Sequence, residues 1–96
     1  MSLRFEWNPE VVEKNRAKHG VEPEDVESAL RNTDPAPYIR RVEDDKYLAS
    51  AQVEDNGDYL FIVFRIPKSG LVRTRSARLM TDKEKREFRR RRAKKR

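Results

Sequence analysis

An alternation of apolar and polar residues through the middle of the chain is the feature that most constrains the fold. This part of the chain contains four candidate strands: residues 38–42, 47–54, 59–66 and 71–79. Short turn-forming stretches separate them, at positions 44–45, 56–57 and 67–70. Strands joined by such short turns pair with their neighbours, so the pattern predicts an antiparallel β-meander. Residues 59–64 are apolar without alternation, and we expect a central strand covered on both faces there.

Helical signals lie on both sides of the meander. Asn8 and Pro9 are typical of a helix start, and Gly20 is typical of the residue after a helix end. A second helix is expected to begin near Pro23. A third is expected to begin at the capping pattern that starts with Thr81, with Phe88 as its main apolar anchor. A brief alternation at residues 4–7 adds a short first strand. We therefore predict one α+β domain over residues 1–96: a small antiparallel sheet, two N-terminal helices and one C-terminal helix.

Composition excludes several classes of protein. With 96 residues, of which 35% are hydrophobic, the chain supports a single small core. It has no cysteine, which excludes disulfides, thiolate zinc sites and a cysteine nucleophile. The longest apolar run, residues 59–64, is far too short to span a bilayer, and the first residues do not form an apolar leader. We expect a soluble, cytoplasmic protein without membrane contact.

The positive charge is concentrated at the C-terminal end. The net charge is +6, yet residues 83–96 contain ten Lys or Arg and only two Glu. Such polarity favours a polyanionic or acidic partner, and nucleic acid is the commonest cytosolic polyanion. For the basic tail at residues 89–96, which starts with Arg89 and Arg90, nucleic-acid binding and a solvated, disordered segment are alternatives.

The fourth predicted strand is unusually rich in arginine. Strict alternation places Arg73 and Arg75 on one face and Ser76 and Arg78 on the other. Guanidinium groups on a β-surface bind phosphates through paired hydrogen bonds and stabilise charge that develops at a reacting phosphate. The alternative is that these arginines pair with nearby carboxylates or simply solvate an exposed face. If the alternation holds, either Arg73 or Arg78 is structural, unless a bulge follows Ser76.

Proton transfer has one obvious candidate. His19 is the only histidine, and histidine is the residue type that exchanges protons near neutral pH. The alternative is a structural role at the helix end, which is the more frequent role for a lone histidine beside a glycine such as Gly20. With one histidine and no cysteine, only carboxylate pairs such as Asp44 and Asp45 remain as metal ligands, and these are better interpreted as turn residues. We therefore predict no metal site and no cofactor.

Two segments of the chain, residues 5–20 and residues 73–84, resemble the BrnT family of toxins. Residues 5–9 (FEWNP) and 15–20 (NRAKHG) are similar to the family's F-x-W-D-P and N-x-x-K-H-G segments. Residues 73–84 (RTRSARLMTDKE) are similar to its R-x-I-S-A-R-x-x-T-x-x-E segment. The chain departs from the family at Asn8, Val11, Arg75 and Phe88, where the family has Asp, Lys, Ile and often Tyr.

The resemblance implies a RelE-like fold and the toxin half of a type II toxin–antitoxin pair. Such toxins are metal-independent ribonucleases that cleave RNA and so inhibit translation. The implied partner is an antitoxin with a ribbon-helix-helix domain, and operator DNA is contacted only through that antitoxin. The positions that the resemblance implies for the site are Lys18, His19, Arg73, Ser76, Arg78 and Glu84. We predict that the catalytic residues are Lys18, His19, Arg73, Arg78 and Glu84. The predicted RNA-binding residues are Ser76 together with three residues chosen for their charge: Arg75, Arg89 and Arg90.

Within this site, Arg73 and Arg78 are expected to bind the reacting phosphate and stabilise its charge. Lys18, His19 or Glu84 is expected to transfer the proton. Two other functions remain open: a non-catalytic nucleic-acid-binding protein, and an antitoxin-docking protein whose nuclease site has decayed. Val11 and Phe88 bear on the last alternative, because the family's lysine and phenol are absent there.

Overall fold

The computed structural model describes residues 3–94 of the chain, with side chains through residue 91. Five strands and three helices follow one another in this order: β1 (Phe5–Glu6), α1 (Pro9–His19), α2 (Pro23–Arg31), β2 (Tyr38–Glu43), β3 (Lys46–Gln52), β4 (Tyr59–Arg65), β5 (Val72–Leu79) and α3 (Asp82–Lys94). The predicted α+β class and the three helices are confirmed. None of the helices in the described range is long and apolar enough to cross a membrane.

The sheet has the order β1-β5-β4-β3-β2 and is mixed. Strands β2 to β5 form the predicted antiparallel meander. β1 instead lies parallel to β5, with Phe5 opposite Val72 and Glu6 opposite Arg73, so the prediction of a purely antiparallel sheet is wrong. Two helices and three strands separate β1 from β5 in sequence, and a connection of this length permits parallel pairing, which a short hairpin does not.

One face of the sheet packs against the two N-terminal helices. The apolar stripe of α2 is fully buried there, against alternate residues of β3 and β4 such as Ala51, Leu60, Ile62 and Phe64. Burial of a Leu, Ile or Phe side chain stabilises the fold by roughly 1.5–3 kcal/mol, relative to exposure. The intervening residues of β4, on the second face, are only half-buried. We expected β4 to be covered on both faces. The structure covers it completely on the first face and only partly on the second.

Helix α3 covers part of this second face. Its N-terminus is closed by the predicted capping box: Glu84 N–H donates to Thr81 Oγ1, and Thr81 N–H donates to Glu84 Oε1. Phe88, the predicted anchor, is 2% exposed and meets the ring of Tyr59 edge-on, with 6.0 Å between ring centroids. The helix continues to Lys94 and so includes most of the segment predicted as a basic tail. The last two residues of that segment lie outside the described residues.

Candidate functional site

Strand β5 contains a β-bulge that changes which side chains share a face. Thr74 and Ser76 pair with successive residues of β4, and Arg75 between them has no partner there. This extra residue shifts the alternation by one position. Arg73, Ser76 and Arg78 therefore all lie on the second face, opposite Arg65, Val63 and Phe61 of β4. The prediction that Arg73 and Arg78 lie on opposite faces is wrong, because the bulge occurs before Ser76.

Helix α1 holds the strand edge at this bulge. β1 pairs only with Val72 and Arg73, so the next part of β5 has no strand on that side. There the Lys14 Nζ group donates to the Arg75 carbonyl at 3.0 Å, and Asn15 Oδ1 accepts from the Ala77 N–H at 3.2 Å. Asn15 is only 2% exposed. Two side chains of α1 thus replace the hydrogen bonds of a neighbouring strand and satisfy backbone groups on either side of the bulge.

The second face carries a cationic surface that we call the arginine face, formed by Arg40, Lys46, Arg65, Arg73, Ser76 and Arg78. Lys46, Arg65 and Arg73 are direct neighbours across β3, β4 and β5. Because adjacent strands lie about 4.8 Å apart, this row of three cations spans roughly 10 Å. Arg40 lies in the next row, beside Leu48. Such a row of cations on an open sheet surface suits a polyanion.

Three of these arginines form ion pairs with carboxylates. Arg73 pairs with Glu6 of β1, and Arg65 pairs with Asp45. In the Arg73 pair both side chains are about half exposed, at 56% and 48%. Exposed pairs of this kind contribute only about 0–1 kcal/mol, so a phosphate can displace the carboxylate at small cost. Arg40 and Lys46 form no ion pair with any other residue in the part of the chain with described side chains.

Arg78 is held more tightly than the other arginines. Its guanidinium donates to both oxygens of Glu84, at 2.8 and 2.9 Å, and lies 4.6 Å from the centroid of the Phe61 ring. The hydrogen bonds from Arg78, supported by the N–H of Thr81, lower the pKa of Glu84 from 4.5 to about 2. Glu84 is therefore ionised and a weak base near neutral pH, and its evident effect is to orient Arg78.

The predicted proton-transfer residues of α1 are not joined to this surface. Lys18 and His19 are exposed at the end of α1, before Gly20 with its left-handed φ of 65°. Neither side chain forms a hydrogen bond or ion pair within the described range of side chains. The structure thus brings Arg73, Ser76 and Arg78 together, with Glu84 beside Arg78. Lys18 and His19 form no hydrogen bond or ion pair with them among the described side chains.

The other predicted RNA-binding residues occupy separate positions. Arg75 is exposed and lines, together with Arg73, a cleft at the N-terminus of α1. Arg89 packs on Tyr59, with its guanidinium 5.1 Å from the ring centroid, and Arg90 is exposed on α3. No cluster of His, Cys, Asp or Glu within the described residues could hold a metal ion.

Three cations of the arginine face were missed from the sequence: Arg40, Lys46 and Arg65. Arg40 and Arg65 lie in strands that the sequence predicted, and Lys46 lies one residue before the predicted start of β3. The missing information was the strand register, which decides which cations become neighbours. The turn at positions 44–45 was a usable signal, because a short hairpin loop fixes the register of the strands it joins.

Comparison with known proteins shows a likeness in fold. No protein-family model matches the chain, and no curated protein matches it significantly. Among solved structures, the chain is similar to the crystal structure of the Brucella abortus ribonuclease toxin BrnT, with a TM-score of 0.64 and 18% identity. The match covers 84% of this chain and 100% of that one. Together with the two segments that resemble BrnT, this likeness shows that the chain has the fold of the Brucella BrnT toxin.

Proposed function

We propose that the chain is the toxin of a type II toxin–antitoxin system and cleaves RNA without a metal ion. The observation that carries the proposal is the bulge at Arg75, through which Arg73, Ser76 and Arg78 share one open cationic face in a BrnT-like fold. Cleavage of RNA by such a toxin inhibits translation, in the manner of RelE-like ribonucleases. The site of action in this proposal is the cytoplasm.

The proposed reaction needs three groups. The 2′-hydroxyl must lose its proton, the charge on the phosphorane must be stabilised, and the leaving 5′-oxygen must be protonated. Arg73 and Arg78 supply the positive charge at the reacting phosphate, and Arg75 binds a flanking phosphate. Glu84 acts as a positioning residue for Arg78, since its low pKa makes it a weak base. Lys18 and His19 are the remaining candidates for proton transfer.

The proposed partner is an antitoxin that masks the arginine face. Its ribbon-helix-helix domain binds operator DNA, so this chain meets DNA only through the antitoxin. An acidic segment on the antitoxin would complement Arg40, Lys46 and Arg65, and would compete with RNA for the same surface.

A second candidate function is binding without catalysis, either of nucleic acid or of the antitoxin alone. One observation favours it: among the described side chains, neither Lys18 nor His19 forms a hydrogen bond or ion pair with the arginine face, and Glu84 is bound to Arg78. The same cations would then bind a polyanion electrostatically, with an affinity that falls steeply as salt is added.

The decisive experiment is incubation of the purified chain with a long single-stranded RNA in EDTA. We expect discrete fragments, and we expect Arg73→Ala to slow their formation by roughly 10²–10³-fold, as for loss of one charge-stabilising group. The matched control is Arg41→Ala, because Arg41 is exposed but pairs with Tyr47 on the opposite face of the sheet. It should cleave at the wild-type rate.

Intact RNA in EDTA, and still intact after Mg²⁺ is restored, would exclude the ribonuclease. Salt-sensitive binding of that intact RNA would then favour the second candidate. Cleavage that survives Arg73→Ala would place the active site elsewhere on the molecule.

A further inference from the structure

A cleft separates α3 from the second face of the sheet and shares Arg40 with the arginine face. It has a volume of about 220 Å³. Its floor contains Leu48 and Phe61 of the sheet, and α3 supplies Glu87 and Phe88. The cleft therefore lies directly beside the surface on which the proposed function places the RNA phosphates.

The lining combines apolar surface with unsatisfied polar groups. The hydroxyl of Ser50, the carboxylate of Glu87 and the guanidinium of Arg40 all line the cleft. None of the three side chains has a hydrogen-bonding or ionic partner among the residues with described side chains. The lining as a whole is more polar than apolar, and it also includes Arg91 of α3, whose guanidinium lies 4.1 Å from the centroid of the Tyr38 ring. Unpaired polar groups that converge beside apolar side chains give a small-molecule site its specificity. At 220 Å³ the cleft is smaller than the roughly 300–1,000 Å³ of drug-sized sites, so it suits a single flat ring system.

The position of Arg40 connects the cleft to the cationic row. Arg40 and Leu48 are paired across β2 and β3, and Lys46 lies two residues before Leu48 on the same face. Two residues of a strand span about 6.6 Å, so a phosphate on Lys46 would lie roughly one nucleotide from the mouth of the cleft.

We propose that this cleft binds one unstacked base of the RNA strand whose phosphates lie on the arginine face, an inference that rests on the proposed function. Sequence-dependent RNA binding relies on such splayed-out bases in single strands. The Glu87 carboxylate only accepts hydrogen bonds, and it therefore selects a base with an exocyclic amino group. Adenine, cytosine and guanine carry that group, whereas uracil presents two carbonyl oxygens that flank a single ring N–H, and it is disfavoured because those oxygens face the carboxylate. Arg40 binds the phosphate at the mouth.

The test uses short fluorescent oligonucleotides without 2′-hydroxyl groups, which cannot be cleaved through that group. Fluorescence anisotropy compares oligomers of deoxyadenosine, deoxycytidine, deoxyuridine and an abasic chain of equal length. We expect the adenine and cytosine oligomers to bind roughly 5- to 100-fold more tightly than the uracil oligomer, the range for one well-formed base contact. The abasic chain should bind most weakly.

Two variants assign the preference to the cleft. Glu87→Gln adds a donor that can serve the carbonyl oxygens of uracil, so the preference against uracil should largely disappear. Glu13→Gln is the matched control, because it makes the same charge change on an exposed carboxylate of α1 and should leave all ratios unchanged. Arg73→Ala should weaken all four oligomers by a similar factor.

Equal binding of the abasic and base-carrying chains would overturn the base site, and so would a preference that Glu87→Gln leaves unchanged. If the oligonucleotides show the base preference but RNA is not cleaved, only the proposed ribonuclease activity is refuted. RNA fragments without any base preference would refute only the cleft as a base site.

Discussion

The buried amide of Asn15 is expected to stabilise the protein through the edge of β5. Asn15→Ala removes the acceptor of the Ala77 N–H, a bond of 3.2 Å between groups that solvent does not reach. A buried N–H left without a partner costs roughly 1–3 kcal/mol. The better helix propensity of alanine returns up to about 0.7 kcal/mol. We therefore expect the free energy of unfolding to fall by about 1–2 kcal/mol, which lowers Tm by roughly 5–15 °C in a domain of this size.

Thermal unfolding followed by circular dichroism measures the loss, and Lys14→Ala is the matched control. Lys14 immediately precedes Asn15 in α1 and also donates a hydrogen bond to β5, but that hydrogen bond is exposed to solvent. Its removal should cost no more than about 0.5 kcal/mol. Amide hydrogen exchange gives an independent measurement, because the Ala77 N–H should exchange much faster in Asn15→Ala than in the wild type.

Two results would refute this reasoning. One is an equal fall in Tm for Asn15→Ala and Lys14→Ala, which would mean that burial of the bond has no effect. The other is unchanged exchange at Ala77, which would mean that Asn15 does not protect the edge of β5.

Two further predictions concern α3. Glu84→Gln keeps a capping side chain but removes the charge that pairs with Arg78. The fall in the pKa of Glu84 from 4.5 to about 2 corresponds to a stabilisation of the folded state by at most about 3.4 kcal/mol. The Glu84 side chain is 26% exposed, and screening by solvent reduces this to about 1–2 kcal/mol. Because the folded-state pKa of Glu84 is the lower one, this stabilisation is complete above about pH 4.5 and disappears as the pH falls towards 2. Urea denaturation should therefore show a difference in the free energy of unfolding between wild type and variant that is smaller at about pH 3 than at about pH 7. A difference that stays constant between the two pH values would contradict the prediction. Phe88→Ala should cost roughly 3–5 kcal/mol in the same assay, as for other buried aromatic side chains, and a loss below about 1 kcal/mol would show that α3 is not anchored there.

Local signals in the sequence predicted the elements well, because each depends on neighbouring residues. The period of two identified the four strands of the meander, and the caps at Asn8 and Gly20 correctly bounded α1. The capping box of Thr81 and Glu84 located the start of α3, and Phe88 was correctly predicted as its anchor. In each case the physical cause acts within about one helical turn or one strand.

The candidate site was predicted less completely. Arg73, Ser76 and Arg78 were selected from the sequence and do share one surface, but the alternation assigned them to different faces. Glu84 was selected for proton transfer, whereas its contact with Arg78 gives it a low pKa. Only the three-dimensional pairing of the two side chains reveals that difference.

By itself, the sequence determined the strands, the helices, their caps and the concentration of positive charge. The tertiary structure alone decided the parallel pairing of β1, the bulge at Arg75 and the row formed by Lys46, Arg65 and Arg73. The physical reason is that these features depend on register between segments distant in sequence. Asn15 and Ala77 are 62 residues apart, and no local pattern indicates that the buried amide of one holds the strand edge of the other.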